Sequence, residues 1–187
     1  MRVVLMGPPG AGKGTQAVVV SAALGIPHVS TGDIFRQNVN NATELGREAQ
    51  RFMDKGEYVP DDLTNAMVRD RLTQPDAAAG FLLDGYPRTT AQVDELDSIL
   101  ASTGHSIDCA VELTVDMDEV VGRLLKRAAE QGRSDDTDEV VRTRLQVYAD
   151  QTAPLTARYG DRGLLAQVDG SGTVEEVTAR VLAALAR

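Results

Sequence analysis

The stretch GPPGAGKGT, Gly7 to Thr15, decides the fold. It has the spacing G-x-x-x-x-G-K of a phosphate cradle, in which glycines let the backbone wrap an anion and the lysine reaches its terminal oxygens. The flanking sequence agrees with the pattern. An apolar, β-branched run, Arg2–Met6, leads into it, and a run with helical character, Lys13–Leu24, leads out. Successive N–H groups then point inward at a helix N-terminus, where the peptide dipoles add partial positive charge. One position departs from the common pattern. After Lys13 comes Gly14, where a Ser or Thr hydroxyl ordinarily holds a metal ion.

Outward from the cradle, four more short runs have the look of buried parallel strands: around His28–Ser30, Phe81–Asp84, Cys109–Thr114 and Leu164–Val168. Between them apolar residues recur at helical spacing, as in Val93, Leu96 and Leu100, then Val120 and Leu124, then Val141, Leu145 and Tyr148. Strands alternating with helices predict an α/β fold, a five-stranded parallel sheet of the P-loop NTPase kind with helices on both faces. All 187 residues form one domain on this pattern. Two polar excursions interrupt the alternation, Ser30–Val59 and the charged segment Lys126–Asp138. Each is either a mobile cover over a ligand site or a plain surface insertion.

Bulk properties narrow the function classes. The net charge of −9 sets most of the surface against nucleic acid, so any polyanion site must be a local cluster of cations. Of 19 cationic residues only Lys13, Lys55 and Lys126 are lysines. The arginine excess reflects either coding bias or a need for bidentate phosphate clamps. The single cysteine, Cys109, excludes an internal disulfide and a cysteine-built zinc site. The N-terminus breaks at once into Gly and Pro and has no signal-peptide core, and no apolar run approaches the ~20 residues of a membrane span. A cytoplasmic protein with no membrane partner is expected.

Further motifs carry chemistry. In FLLDGYPRT, Phe81–Thr89, Asp84 ends a strand at the carboxyl edge, where open α/β sheets bind ligands. It is either a partner for Mg²⁺ or a helix N-cap. Arg88 is expected at the start of the next helix with Gln92 one turn on, a cation beside an amide on one face. In STGDIFR, Thr31 and Asp33 are candidate caps of the following helix, with Thr31 also a candidate base contact and Arg36 on the first full turn. Arg123 and Arg127 share a helix face. Arg144 falls on the Val141–Leu145–Tyr148 stripe, opposite Arg142, so it needs an anionic partner. Asp135 and Asp136 could supply one internally, and a nucleotide phosphate is the alternative.

Taken together, GPPGAGKGT, STGD-x-x-R, FLLDGYPRT with Gln92, GRSDDT, R-x-R-L-x-V-Y and TAP (Thr152–Pro154) resemble the adenylate kinase family over essentially the whole chain. The resemblance implies reversible phosphoryl transfer from ATP to AMP, giving two ADP. It places the ATP cradle on Gly10, Ala11, Gly12, Lys13, Gly14 and Thr15, with a backbone adenine contact at Gly172. AMP contacts are implied at Thr31, Arg36, the backbone of Glu57, Tyr58 and Val59, Gly85, Tyr86, Pro87, Arg88 and Gln92. The phosphate-lining set is Lys13, Arg88, Arg123, Arg127, Arg133 and Arg144. Residues 30–59 correspond to the AMP flap and 126–136 to a short lid without structural zinc. Gly14 is ordinary for the family: Mg²⁺ rides on ATP oxygens and waters, which Asp84, with Asp33 as a second candidate, fixes indirectly. A monomer is expected. His28 and His105 match no catalytic role.

Transfer onto a phosphate needs no general base, because the acceptor is already anionic. Alignment and charge neutralisation carry the chemistry. A UMP/CMP kinase is the nearest alternative, and Thr31 with Gln92 favours adenine over it. A P-loop kinase for a non-nucleotide acceptor would not need the amide–arginine pair. A nucleotide sensor would not need the arginines, and no N-K-x-D guanine signature occurs.

Overall fold

The first strand, β1 (Arg2–Met6), alternates its side chains between two apolar layers, as a period of two requires. Val3 and Leu5 join one core and Val4 and Met6 the other. The computed structural model describes residues 1–131 and 137–186, with the side chains at 127 and 129–131 not described. Helix α1 (Lys13–Leu24) follows, then β2 (His28–Ser30), α2 (Thr31–Asn40), α3 (Glu44–Met53), α4 (Asp61–Leu72), β3 (Phe81–Asp84) and α5 (Thr90–Ala101). The second half comprises β4 (Cys109–Thr114), α6 (Met117–Gln131), α7 (Asp138–Val147), a π-turn at Tyr148–Thr152, α8 (Leu155–Asp161), β5 (Leu165–Asp169) and α9 (Val174–Leu185).

The five strands are all parallel in the order β2-β3-β1-β4-β5. The fifth strand lies one residue later than the apolar run Leu164–Val168 suggests. The carbonyl of Leu164 still accepts from Ala110 N–H, but the ladder starts at Leu165 and runs through Asp169. On one face Ala17 and Val20 of α1 and Val177, Val181 and Leu185 of α9 cover Val3, Leu5, Leu82 and Val111. On the other, Val93, Leu96 and Leu100 of α5, Val68 of α4 and Leu155 and Tyr159 of α8 cover Val4, Phe81 and Leu83. Burial of each such Val or Leu stabilises by about 1.5–3 kcal/mol. The exposed arginine–carboxylate pairs contribute at most about 1 kcal/mol each, so the two apolar layers decide the fold.

The strand order also makes the site. Neighbouring β1 and β3, paired with Leu5 opposite Asp84, send their following helices to opposite faces of the sheet. Their carboxyl ends therefore diverge into a crevice, the switch point where parallel sheets take ligands. Helices α2 and α3 close on their own small core of Phe35, Ala49 and Val59 beside the crevice.

Candidate functional site at the carboxyl edge of the sheet

The cradle follows β1 without a spare residue. Gly12 caps α1 in the left-handed region (φ 90°), and no acidic side chain occupies the first turn of the helix. No acidic residue of the helix itself therefore offsets the positive end of α1. Gly10 (φ 86°) is required by a close approach, since a Cβ there would lie 2.9 Å from Cγ of Leu124 and 3.0 Å from the carbonyl of Val120. Lys13 arches back over the loop, its Nζ donating to the carbonyls of Gly7 (2.7 Å) and Pro8 (2.9 Å). A Cβ on Gly14 would lie 3.7 Å from Oδ2 of Asp84. A side chain at 14 would therefore stand in ordinary contact with the carboxylate at the end of β3.

Asp84 has a neighbour that sequence did not link to it. Nε2 of His28, across the β2–β3 ladder, lies 3.5 Å from Asp84 Oδ2 and makes no hydrogen bond. Asp33 is bound by Arg36 one turn on. Although partial burial opposes it, the hydrogen bond and charge of Arg36, the Ser30 hydroxyl and the nearby His28 hold the Asp33 carboxyl below its usual value.

The capping expectation for α2 is corrected by one residue. Ser30 caps the helix, accepting from Asp33 N–H, while Thr31 stands inside the first turn and donates its hydroxyl to the carbonyl of Gly85 (2.9 Å). Thr31 thereby ties α2 to the turn after β3.

The expected helical face shared by Arg88 and Gln92 is also corrected. Thr89 is the N-cap of α5, so Arg88 precedes the helix. The two residues meet through a different bond: Oε1 of Gln92 accepts from Arg88 N–H at 2.7 Å. Arg88 is held from four sides. Gln92 takes its N–H, the Thr152 hydroxyl donates to its carbonyl (2.9 Å), its Nε donates to Gly85 O (2.7 Å), and its guanidinium lies over the Tyr58 ring at 4.9 Å. This leaves the guanidinium's outer edge facing the crevice. Tyr86 departs from the expected contact set. Its ring is buried in the core and its hydroxyl lies 2.8 Å from Asn65 Oδ1, so it lines neither cavity described below.

Two cavities open on this edge. The smaller, about 120 Å³, is lined by Thr31, Arg36, Glu57, Tyr58, Val59, Gly85, Pro87, Arg88, Gln92 and Arg144. The larger, about 740 Å³, is lined by Gly10 through Gln16, Asp33, Asp84, Arg123, Gly172 and Thr173. Lys13, Arg36, Arg88 and Arg144 line both. The cavities therefore meet at a junction of four cations. Arg144 is half-buried against Gly56 while Arg142 is exposed and paired with Asp138, the facing expected from the stripe. Tyr148, expected on that stripe, instead begins the π-turn and lines the smaller cavity.

Arg123 links the cradle to the loop after β5. Its guanidinium donates to Ala11 O (3.3 Å), Gly170 O (2.9 Å) and Glu119 (2.6 Å). Gly172 lies on the same rim (φ 105°), between that loop and the capping box of Thr173 and Glu176. Arg127 lies on α6 with its side chain outside the described residues; Arg133, Asp135 and Asp136 lie outside them altogether. Much of the arginine excess is spent away from the crevice, where Arg69, Arg71, Arg158 and Arg162 pair with surface carboxylates. Asp61 and Thr152 went unrecognised as individual residues. Thr152 at least sits in the quoted TAP motif, whereas Asp61 carries no local signal.

Among the described residues no group of three or more His, Cys, Asp or Glu could hold a metal ion directly. The donors beside the cradle are the carboxylates of Asp84 and Asp33. That set fits Mg²⁺, which keeps its waters and binds through substrate phosphates with one or two carboxylates in support. No described helix is long and apolar enough to cross a membrane.

Comparison with known proteins gives a family. The model of the family described as adenylate kinase matches residues 5–164. An adenylate kinase of Nocardioides sp. is 60% identical over 185 residues, covering 99% of this chain and 97% of that protein. Adenylate kinases of Kocuria rhizophila (59% over 186 residues, 100% and 99% covered) and Thermobifida fusca (58% over 185, 99% and 98%) are similarly close. With its cradle, its paired cavities and relatives this similar along their full length, the chain belongs to the adenylate kinase family.

Proposed function

We propose that ATP occupies the larger cavity and AMP the smaller, their phosphates meeting between Lys13, Arg36, Arg88 and Arg144. The chain is a nucleoside monophosphate kinase that transfers a phosphoryl group reversibly from ATP to AMP, giving two ADP. The observation that supports the placement is the sharing of those four cations by both cavities. Two nucleotides bring about six negative charges to one point, and fixed cations in the crevice offset the repulsion.

The parts divide as follows. The backbone N–H groups of the cradle and the open end of α1 bind the donor's phosphates, with Lys13 turning from its loop carbonyls toward the transferred group. Arg123 holds the cradle to the Gly170–Gly172 loop, where the donor's adenine lies against Gly172. Thr31, the 57–59 backbone, Gly85, Pro87 and Gln92 hold AMP, and Arg36, Arg88 and Arg144 orient its phosphate. Arg127 and Arg133 complete the phosphate-lining set. When bound, Mg²⁺ neutralises donor phosphate oxygens, and Asp84 with Asp33 would hold its waters. No side chain removes a proton, since the attacking oxygen is already anionic.

Residues 30–59, with their own core, act as the flap over AMP, and 126–136 as the short lid over ATP. Excluding water from the junction protects ATP from hydrolysis until the acceptor is in place. A cytoplasmic monomer belongs to the same proposal. ADP formation from Mg-ATP with AMP, UMP, CMP or GMP as acceptor tests it. AMP should be used far faster than the other three, and turnover of another acceptor at an equal or higher rate would refute it.

A further inference from the structure

Gln92 carries an amide that is 1% exposed yet lines the smaller cavity. An amide offers two hydrogens and two lone pairs, and burial requires that they be used. Half are used by the protein. Oε1 accepts from Arg88 N–H (2.7 Å) and Nε2 donates to Oδ1 of Asp61 (2.7 Å). Asp61 is fixed in turn, because its Oδ2 accepts from the Thr89 hydroxyl (2.9 Å), whose oxygen caps Gln92 N–H at 3.2 Å. What remains for a ligand is one lone pair on Oε1 and one hydrogen on Nε2, in that order along the cavity wall.

The order matters because an amide is nearly symmetric in shape but not in chemistry. Adenine and cytosine present an exocyclic amino donor beside a ring-nitrogen acceptor, which matches acceptor-then-donor. Hypoxanthine, guanine and uracil present an exocyclic oxygen beside a ring N–H, the reverse. Turning the amide over would suit them, but it would face Nε2 hydrogens toward Arg88 N–H and Oε1 toward the Asp61 carboxylate. Both flanks would then hold like against like, in a place where buried polar groups must be paired.

We propose that Asp61, acting through Gln92, is a positioning residue that sets base selectivity: it locks the amide so that the acceptor site takes amino-bearing bases and rejects their keto counterparts. This deepens the assignment of the smaller cavity to AMP and rests on it. Asp61 lies 31 residues from Gln92 in sequence and lines neither cavity.

The experiment measures kcat/KM for AMP, IMP, CMP and UMP with Mg-ATP, in the wild-type protein and in Asp61→Asn and Asp61→Ala. The two pairs, AMP against IMP and CMP against UMP, each hold ring size nearly constant and reverse the hydrogen-bonding order. In the wild type the amino member should lead by at least about 10²-fold in both pairs. In the variants both ratios should fall by about 10-fold, with KM for ATP unchanged. Wild-type ratios near one would overturn the inference without recourse to any variant. So would folded variants that lose activity equally on all four acceptors, which is the signature of a merely structural role. Absence of AMP turnover in the wild type would instead overturn the assignment beneath it, and the inference with it.

Discussion

The hydroxyl of Thr152 donates to the carbonyl oxygen of Arg88 at 2.9 Å, and this one bond fixes the direction of the next. Thr152 has a single proton, so its 2.7 Å contact with Tyr58 must be donated by the phenol. A relay of Tyr58 to Thr152 to the Arg88 backbone results, with the Tyr58 ring packed on the Arg88 guanidinium.

Thr152→Val keeps the shape and removes both bonds, and Tyr58→Phe removes only the first. Tyr58→Phe should raise KM for AMP by about 3- to 10-fold, the worth of one buried hydrogen bond, and Thr152→Val by more, with KM for ATP little changed in either. Tyr58→Leu, which also loses the ring, should be worse than Tyr58→Phe. Steady-state kinetics with each substrate varied check this, and equal effects on both substrates would remove the relay from the AMP side.

Lys13→Ala should lower kcat by about 10³-fold, since it removes the lysine that lines both cavities where charge concentrates. The fold should survive. The side chain is half-buried at the protein's edge and reaches the loop carbonyls of Gly7 and Pro8, outside both apolar cores, so the thermal midpoint should move by only a few degrees. A rate within tenfold of wild type would take Lys13 out of the transfer step.

Gly10→Ala combines a left-handed backbone with a contact 2.9 Å from Leu124, so the loop and α6 must separate. The expected cost is about 1–3 kcal/mol of stability, together with weakened ATP binding and little change in AMP binding. Thermal unfolding and nucleotide titrations read the two effects separately.

The phenols of Tyr86, Tyr148 and Tyr159 are all pushed above their ordinary value of 10.0, mainly by burial. Their neutral forms belong to the folded state. The stability they contribute is complete below pH 10.0 and is lost as pH rises above it toward the raised folded values. Phenolate absorbance and circular dichroism followed from pH 9 upward should show these three ionising together with unfolding. Ionisation of all tyrosines with the dichroism intact would contradict their burial.

The cradle and the strands were legible because their signals are local. Arg2–Met6, the glycines and the start of α1 are contiguous, and each residue's role follows from its neighbours. The apolar stripes of α5 and α6 were legible for the same reason, with Val93, Leu96, Val120 and Leu124 all buried. Errors arose where a single cap moved a boundary. Ser30 in place of Thr31, and Thr89 ahead of α5, each changed which side chain was free for other work. A family motif names a contiguous run, whereas the turn after β3 sends the Tyr86 ring to the core and leaves Gly85, Pro87 and Arg88 on the cavity wall. Asp61, His28 and Thr152 were silent as site residues because their partners lie 31, 56 and 64 residues away, and only the sheet order and helix packing bring them together.

A crystal structure with two adenosines joined through a phosphate chain would put the junction itself to the test. One adenosine should lie near Gly172 and the other against Gln92, with the linking phosphates between Lys13, Arg36, Arg88 and Arg144. A chain of phosphates running anywhere else, or both adenosines on one side of those four cations, would contradict the two-cavity assignment.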